Sequence, residues 1–218
     1  MLLPLAAPRA QAPVSDVTGT IVGHIKLTTR VRVPLAANAY PSRSIGKHEA
    51  PAVPEIRNVV VYLKEAPFRG TLTPSRVELR QQNETFVPHV LAITRGSTVE
   101  FPNDDPFFHN VFSLSSAAAF NLGRYPRGQS RPWKFSKAGL VKVFCDIHSH
   151  MSASILVLDH PYFTIPGVDG NYEIRSVPAG QYTITGWHER VGERSAPVRV
   201  DAGRPVTVDL TVPVEDVP

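Results

Sequence analysis

Apolar and polar residues alternate with a period of two through most of this chain, and no segment sustains a period of 3.6. From Thr20 to Leu27, Ile21, Ile25 and Leu27 fall on one face, with Thr20, His24 and Lys26 on the other. Tyr172 and Ile174 alternate with Asn171, Glu173 and Arg175; Val206, Val208 and Leu210 alternate with Thr207, Asp209 and Thr211. Such stripes are buried only when one sheet packs on another, so the pattern predicts an all-β chain with wet outer faces. Val59–Leu63 is apolar on both faces and reads as an interior strand. Twenty-one prolines against 19% charged residues also favour strands and loops over long helices.

Between about Thr71 and His160 the strands are short and punctuated by Gly, Pro, Asn and Asp. The candidates are Phe86–Ile93, Thr98–Phe101, Asn110–Leu114, Arg131–Ser136, Leu140–Cys145 and Ser152–Leu158. Ser115–Gln129, rich in Ser, Ala, Gly and Arg, reads as a connection with room for a short helical turn. Residues 38–54 lack periodicity and read as a long loop. Asp169-Gly170 and Pro178-Ala-Gly180 are turn signals in the last third.

The net charge of +4 comes from scattered residues with no Lys/Arg cluster, so no nucleic-acid partner is expected. No run approaches the roughly 18 apolar residues of a membrane span. Residues 1–16 read as signal-like or disordered, with Ala10-Gln11-Ala12 as an A-x-A cleavage site, which predicts a periplasmic or secreted protein. Residues 214–218 read as a disordered tail.

The chain has one cysteine, so no intramolecular disulfide can form. Cys145 opens the run Cys145-Asp-Ile-His148-Ser-His150-Met151, and His109 lies 36 residues upstream. Val141, Val143 and Cys145 share a strand face, as do Met151, Ala153, Ile155 and Val157 on the next strand. The five residues between Cys145 and Met151 therefore bring Cys145, His148 and Met151 around one point, and the 36-residue spacing permits His109 to join from a neighbouring strand. A thiolate, two imidazoles and a weak axial thioether form the ligand set of a mononuclear type 1 copper centre. His150 is the ambiguous member: exposed beside a complete set, or an extra ligand in place of Met151 or for a second, transient metal. Taken singly the bland readings stand beside this one, since a lone Cys or Met is most often core packing. A nucleophilic Cys145 with a His base is a further alternative, without a marked orienting residue.

Two resemblances follow. Phe101-Pro-Asn103-Asp104, His109-Asn110-Val111-Phe112 and Val143-Phe-Cys145-Asp-Ile-His148-Ser-His-Met151 resemble the cupredoxins of the plastocyanin and amicyanin type. Gly19-Thr-Ile-Val-Gly23, Asn58-Val-Val-Val-Tyr62 and Asp169-Gly-Asn-Tyr172 with Val177-Pro-Ala-Gly180-Gln-Tyr182 are similar to carboxypeptidase-regulatory, transthyretin-like domains. Together they imply a cupredoxin Greek-key β-sandwich over residues 67–160, inserted in a small transthyretin-like β-sandwich made of residues 17–66 and 161–213. The first resemblance implies one copper held by His109, Cys145, His148 and Met151, with Asn110 bracing the Cys145 loop. Asp104 and Asp105 read as turn residues, His89 as structural or surface with a secondary metal role open, and Phe107 and Phe108 as core or docking rim.

The expected function is a one-electron carrier between redox proteins of the cell envelope, docking transiently and without turnover of its own. The alternatives are a copper-binding or delivery protein, a catalytic copper protein and a β-rich binding protein with a degenerate metal site.

Overall fold

The structure, a computed structural model, describes residues 17–29 and 54–214. The expectations for residues 1–16, 38–53 and 215–218 lie outside the described residues. The described chain is all-β apart from one 3-10 turn, Glu55–Asn58.

Four sheets form two packed pairs. In the first pair, Thr18–Thr29 lies antiparallel to Asn171–Pro178 and parallel to Pro205–Thr207 and Leu210–Val214. Its companion sheet runs Phe163–Thr164, Val59–Lys64, Gly180–His188, Gly192–Val200. Ile21, Ile25, Val59, Val61, Leu63, Tyr172, Ile174, Ile184 and Val212 share one core between them. Gly23 is required here by close approach: a Cβ on it would stand 1.8 Å from the Val208 carbonyl oxygen. The strand Leu210–Val214 carries Val214 into the buried core, so ordered structure extends one residue beyond the expected boundary.

In the second pair, a five-stranded sheet is ordered Val90–Thr94, Ser152–Leu158, Gly139–Phe144, His109–Ser115, Ala118–Tyr125. It faces a three-stranded sheet of Ser130–Lys134, Thr98–Pro102 and Arg76–Glu78. Val99, Phe101, Val111, Phe135, Val141, Val143 and Ile155 fill the space between, together with Cys145 and Met151.

The two pairs meet through strands buried on both faces. Val59, Val61 and Leu63 point into the first core, and Val60 and Tyr62 point the other way. Ala153, Ile155 and Val157 enter the second core, while Leu156 and Leu158 face out of it. Val60, Tyr62, Val90, Leu156, Leu158 and Trp187 thus form a third apolar cluster where the units abut. Beside it His89 pairs with Glu189, whose other carboxylate oxygen accepts from Ser154 Oγ at 3.2 Å.

Two expectations are corrected. Ser115–Gln129 holds no helical turn: Ala118–Tyr125 is a strand that doubles back on His109–Ser115, because Phe120 and Tyr125 reach the core. Phe86–Ile93 is two strands with different partners, Thr85–Val87 on Arg80–Gln82 and Val90–Thr94 on Ser152–Leu158. Pro88 lies between them and has no N–H for a ladder.

Candidate metal centre

Cys145 sits one residue past the strand Gly139–Phe144, and Met151 one residue before Ser152–Leu158. The loop between them is closed by its own backbone: Cys145 N–H donates to the Met151 carbonyl (3.3 Å), and Met151 N–H to the His148 carbonyl (2.9 Å). His109 begins the neighbouring strand His109–Ser115, which meets Gly139–Phe144 through Phe112 and Phe144. Asn110 ties the two segments together, its Oδ1 accepting from Asp146 N–H at 2.9 Å and its Nδ2 donating to Asn121 Oδ1 at 2.8 Å.

This scaffold brings three donor atoms to one point. His109 Nδ1 and His148 Nδ1 are 3.0 Å apart, and Cys145 Sγ lies 3.8 Å from the first and 3.9 Å from the second. A triangle with those sides has a circumradius of about 2.1 Å, which is the length of a bond from a first-row transition metal to imidazole and close to that of its bond to thiolate. Two ring nitrogens facing each other at 3.0 Å can share only one proton, so the pair is better satisfied by a cation between them than by each other. The donor set therefore fits a metal ion, and soft sulfur with imidazole suits copper.

Met151 is 1% exposed and packs in the same cluster as Cys145. His150 does not join the group. Its side chain is 60% exposed, its Nε2 lies 3.4 Å from Glu84 Oε2, and its ring centroid stands 6.1 Å from that of His148. Of the three grouped ligands, His109 and Cys145 are buried and His148 is half-buried. Phe107, Phe108 and Ile147 are exposed, and the Phe107 ring lies 6.2 Å from that of His148. Neither phenylalanine is a core residue, so the core reading of Phe107 and Phe108 is not met. His89 belongs to the contact between the units, where it pairs with Glu189.

Asp105, read from sequence as a turn residue, does more. Its Oδ2 lies 2.8 Å from His109 Nε2, and the same carboxylate accepts from the backbone N–H groups of Asn83 (2.6 Å) and Glu84 (2.8 Å). A carboxylate on Nε2 fixes the tautomer that leaves Nδ1 free to bind. The i, i+4 spacing to His109 is the sequence signal that could have marked it. Asn103 shapes the approach, its Oδ1 accepting from Asp105 N–H at 3.0 Å and its Nδ2 donating to the carbonyls of Phe107 and Tyr125.

These contacts set the charges. Burial pushes the Cys145 thiol up, but the hydrogen bond with His109 and the backbone N–H groups of Asn110, His148 and Ile147 outweigh it, leaving the thiol at about 6. Burial pushes His109 down, and its bonds to Cys145 and Asp105 raise it further than burial lowers it. Burial likewise raises Asp105, while the Glu84 N–H, His109 and the Asn83 N–H bring it below the ordinary carboxylate range. A thiolate is thus favoured in the protein before any metal arrives.

No family model matches the chain, and no curated protein matches it. Solved structures do. A copper-containing nitrite reductase from Thermus scotoductus SA-01 is 27% identical over 44% of this chain and 25% of its own length, with a TM-score of 0.38. A reduced amicyanin variant is 21% identical over 37% of this chain and 80% of its own, with a TM-score of 0.35. A purple cupredoxin from Nitrosopumilus maritimus is 26% identical over 34% and 83%, with a TM-score of 0.32. The chain spans a quarter of the nitrite reductase. That match corrects the expectation of a protein without turnover, since the neighbour is described as a nitrite reductase, an enzyme. Among the described residues, no helix is long and apolar enough to cross a membrane.

Proposed function

We propose that this chain is a mononuclear copper protein that handles single electrons in the cell envelope, with Cys145, His109 and His148 as the strong ligands and Met151 as the axial one. The observation that carries the reading is the triangle of three donors, two of them buried, whose centre lies about 2.1 Å from each. Copper bound there would supply one-electron oxidation and reduction.

The residues around the site support fast transfer by holding still. Asp105 fixes His109, Asn110 fixes the residue after Cys145, and the loop's own hydrogen bonds fix Met151. A ligand set held by other groups has little to rearrange when one charge is added or removed. Tyr125, opposite His109 in the hairpin, closes the buried side, its hydroxyl donating to the Phe101 carbonyl at 2.8 Å. Electrons would therefore pass through the half-buried ring of His148, which lies beside the exposed ring of Phe107. An apolar rim suits brief docking by a redox partner, since it gains contact area without demanding paired charges.

The units around the site are best read as a sandwich interrupted by the copper domain. Leu63 and Tyr172 lie 109 residues apart in sequence yet share one core, which supports the insertion reading. The flanking sandwich would then hold the copper domain in place, in a periplasmic or secreted setting.

The test is direct. Loading with Cu(II) should produce a strong thiolate-to-copper charge-transfer band that Cys145→Ala abolishes. A colourless protein that binds Cu(I) and yields it to a chelator would point to delivery instead.

A further inference from the structure

The hairpin of Arg80–Gln82 and Thr85–Val87 turns through Asn83 and Glu84, both in the left-handed region with φ near +54°. A two-residue turn of this kind favours Asn then Gly, because glycine enters that region without steric penalty. Asn83 fits the preference and Glu84 does not. The turn is held open by Asp105, which accepts from both of its N–H groups and also bonds His109. A carboxylate thus stands where glycine would be easier, on a turn anchored to the same residue that anchors a buried ligand. Glu84 is aimed at His150, with Oε2 3.4 Å from Nε2.

We infer that His150 and Glu84 form an outer capture site for copper, which hands the ion inward to the buried group; the inference rests on the copper centre proposed above. Imidazole and carboxylate are suitable ligands for Cu(II). Donors on one ion with bonds of about 2.0 Å lie roughly 2.8 to 3.3 Å apart, so 3.4 Å needs only a small rotation of either side chain. The position suits a port. His150 is 60% exposed, whereas Cys145 and His109 are buried behind it. His148, the half-buried member of the inner group, has its ring 6.1 Å from that of His150 and lies two residues away on the same loop. The handover exchanges ligands and moves no electron: copper leaves the Glu84 oxygen and the His150 nitrogen for Cys145, His148 and His109, and any proton left on the thiol or held between the two ring Nδ1 atoms passes to water.

The test uses the whole chain and Cu(II) ions. In stopped flow with limiting copper, His150→Ala and Glu84→Gln should each slow the appearance of the charge-transfer band about tenfold, the low end of what local ion concentration adds to association. The final band should be unchanged, which also shows that the variants fold. With the inner site filled, a second equivalent of copper should give a separate paramagnetic resonance signal of imidazole-bound Cu(II), lost in His150→Ala. Unslowed loading in both variants, or a second signal that persists in His150→Ala, overturns the capture site while leaving the inner one intact. Absence of the band at the first equivalent in the wild type would instead overturn the inner centre, and the capture site with it.

Discussion

The Asp105 carboxylate stands 2.8 Å from Nε2 of His109, and both side chains are sealed from solvent. It is therefore a buried negative charge one imidazole away from the proposed copper. Removing it should weaken the basicity of Nδ1 and favour the reduced, less positive metal. Asp105→Asn is expected to raise the reduction potential and to weaken copper binding by roughly 10- to 100-fold, measured by redox titration and by chelator competition. An unchanged potential in a folded variant would remove Asp105 from this role.

Met151 is buried with Cys145 and is proposed as the axial donor. Met151→Leu conserves volume, so the fold should tolerate it at a cost of less than about 1.5 kcal/mol. The charge-transfer band should remain, because the thiolate is untouched, and the potential should rise with loss of the weak fourth ligand. A potential equal to that of the parent would mean that Met151 only packs.

How much of this was legible depended on whether the deciding contact was local. Val59–Lys64 could be read outright because it is apolar at every position down to Leu63, and it is buried on both faces. The loop from Cys145 to Met151 could be read because strand periodicity and five intervening residues leave few geometries. The strand Ala118–Tyr125 could not, since its small residues carry little pattern and its place is set by Phe120 and Tyr125 meeting a distant core. Glu84 was hidden for the same reason, since its partner His150 reaches it only after the fold has formed, whereas Asp105 stands four residues from His109, a local signal that was there to be read.

The contact between units should respond to pH. The hydrogen bond with Glu189 raises His89 against the effect of burial, and the same bond lowers Glu189. Glu55 adds to the first shift and Lys142 to the second, with the Ser152 backbone and the Ser154 hydroxyl facing the same pair. The His89 contribution is complete below the unfolded histidine value of about 6.5 and is lost as pH rises through its raised folded value. The Glu189 contribution is present above the unfolded carboxylate value and is lost as pH falls through its lowered one. Thermal stability should therefore be greatest where both are charged and decline on the alkaline side, and His89→Gln should flatten that decline. A wild-type profile that does not fall there would show that the pair stabilises nothing.

The flanking sandwich should fail without taking the metal chemistry with it. Leu63 is fully buried in the first core, so Leu63→Ala should cost about 2 to 5 kcal/mol by transfer and cavity effects. At temperatures where the variant remains folded its copper band should match the parent, because Leu63 faces away from the second core. A shifted band would show that the two cores are coupled through Val60, Tyr62 and Leu156.

The most direct measurement is visible absorption and electron paramagnetic resonance of the wild type and Cys145→Ala, each with one equivalent of Cu(II). The three-donor geometry predicts an intense thiolate-to-copper band in the wild type and its complete loss in the variant. Its absence from the wild type, or an identical spectrum in both proteins, would contradict a copper centre built on Cys145.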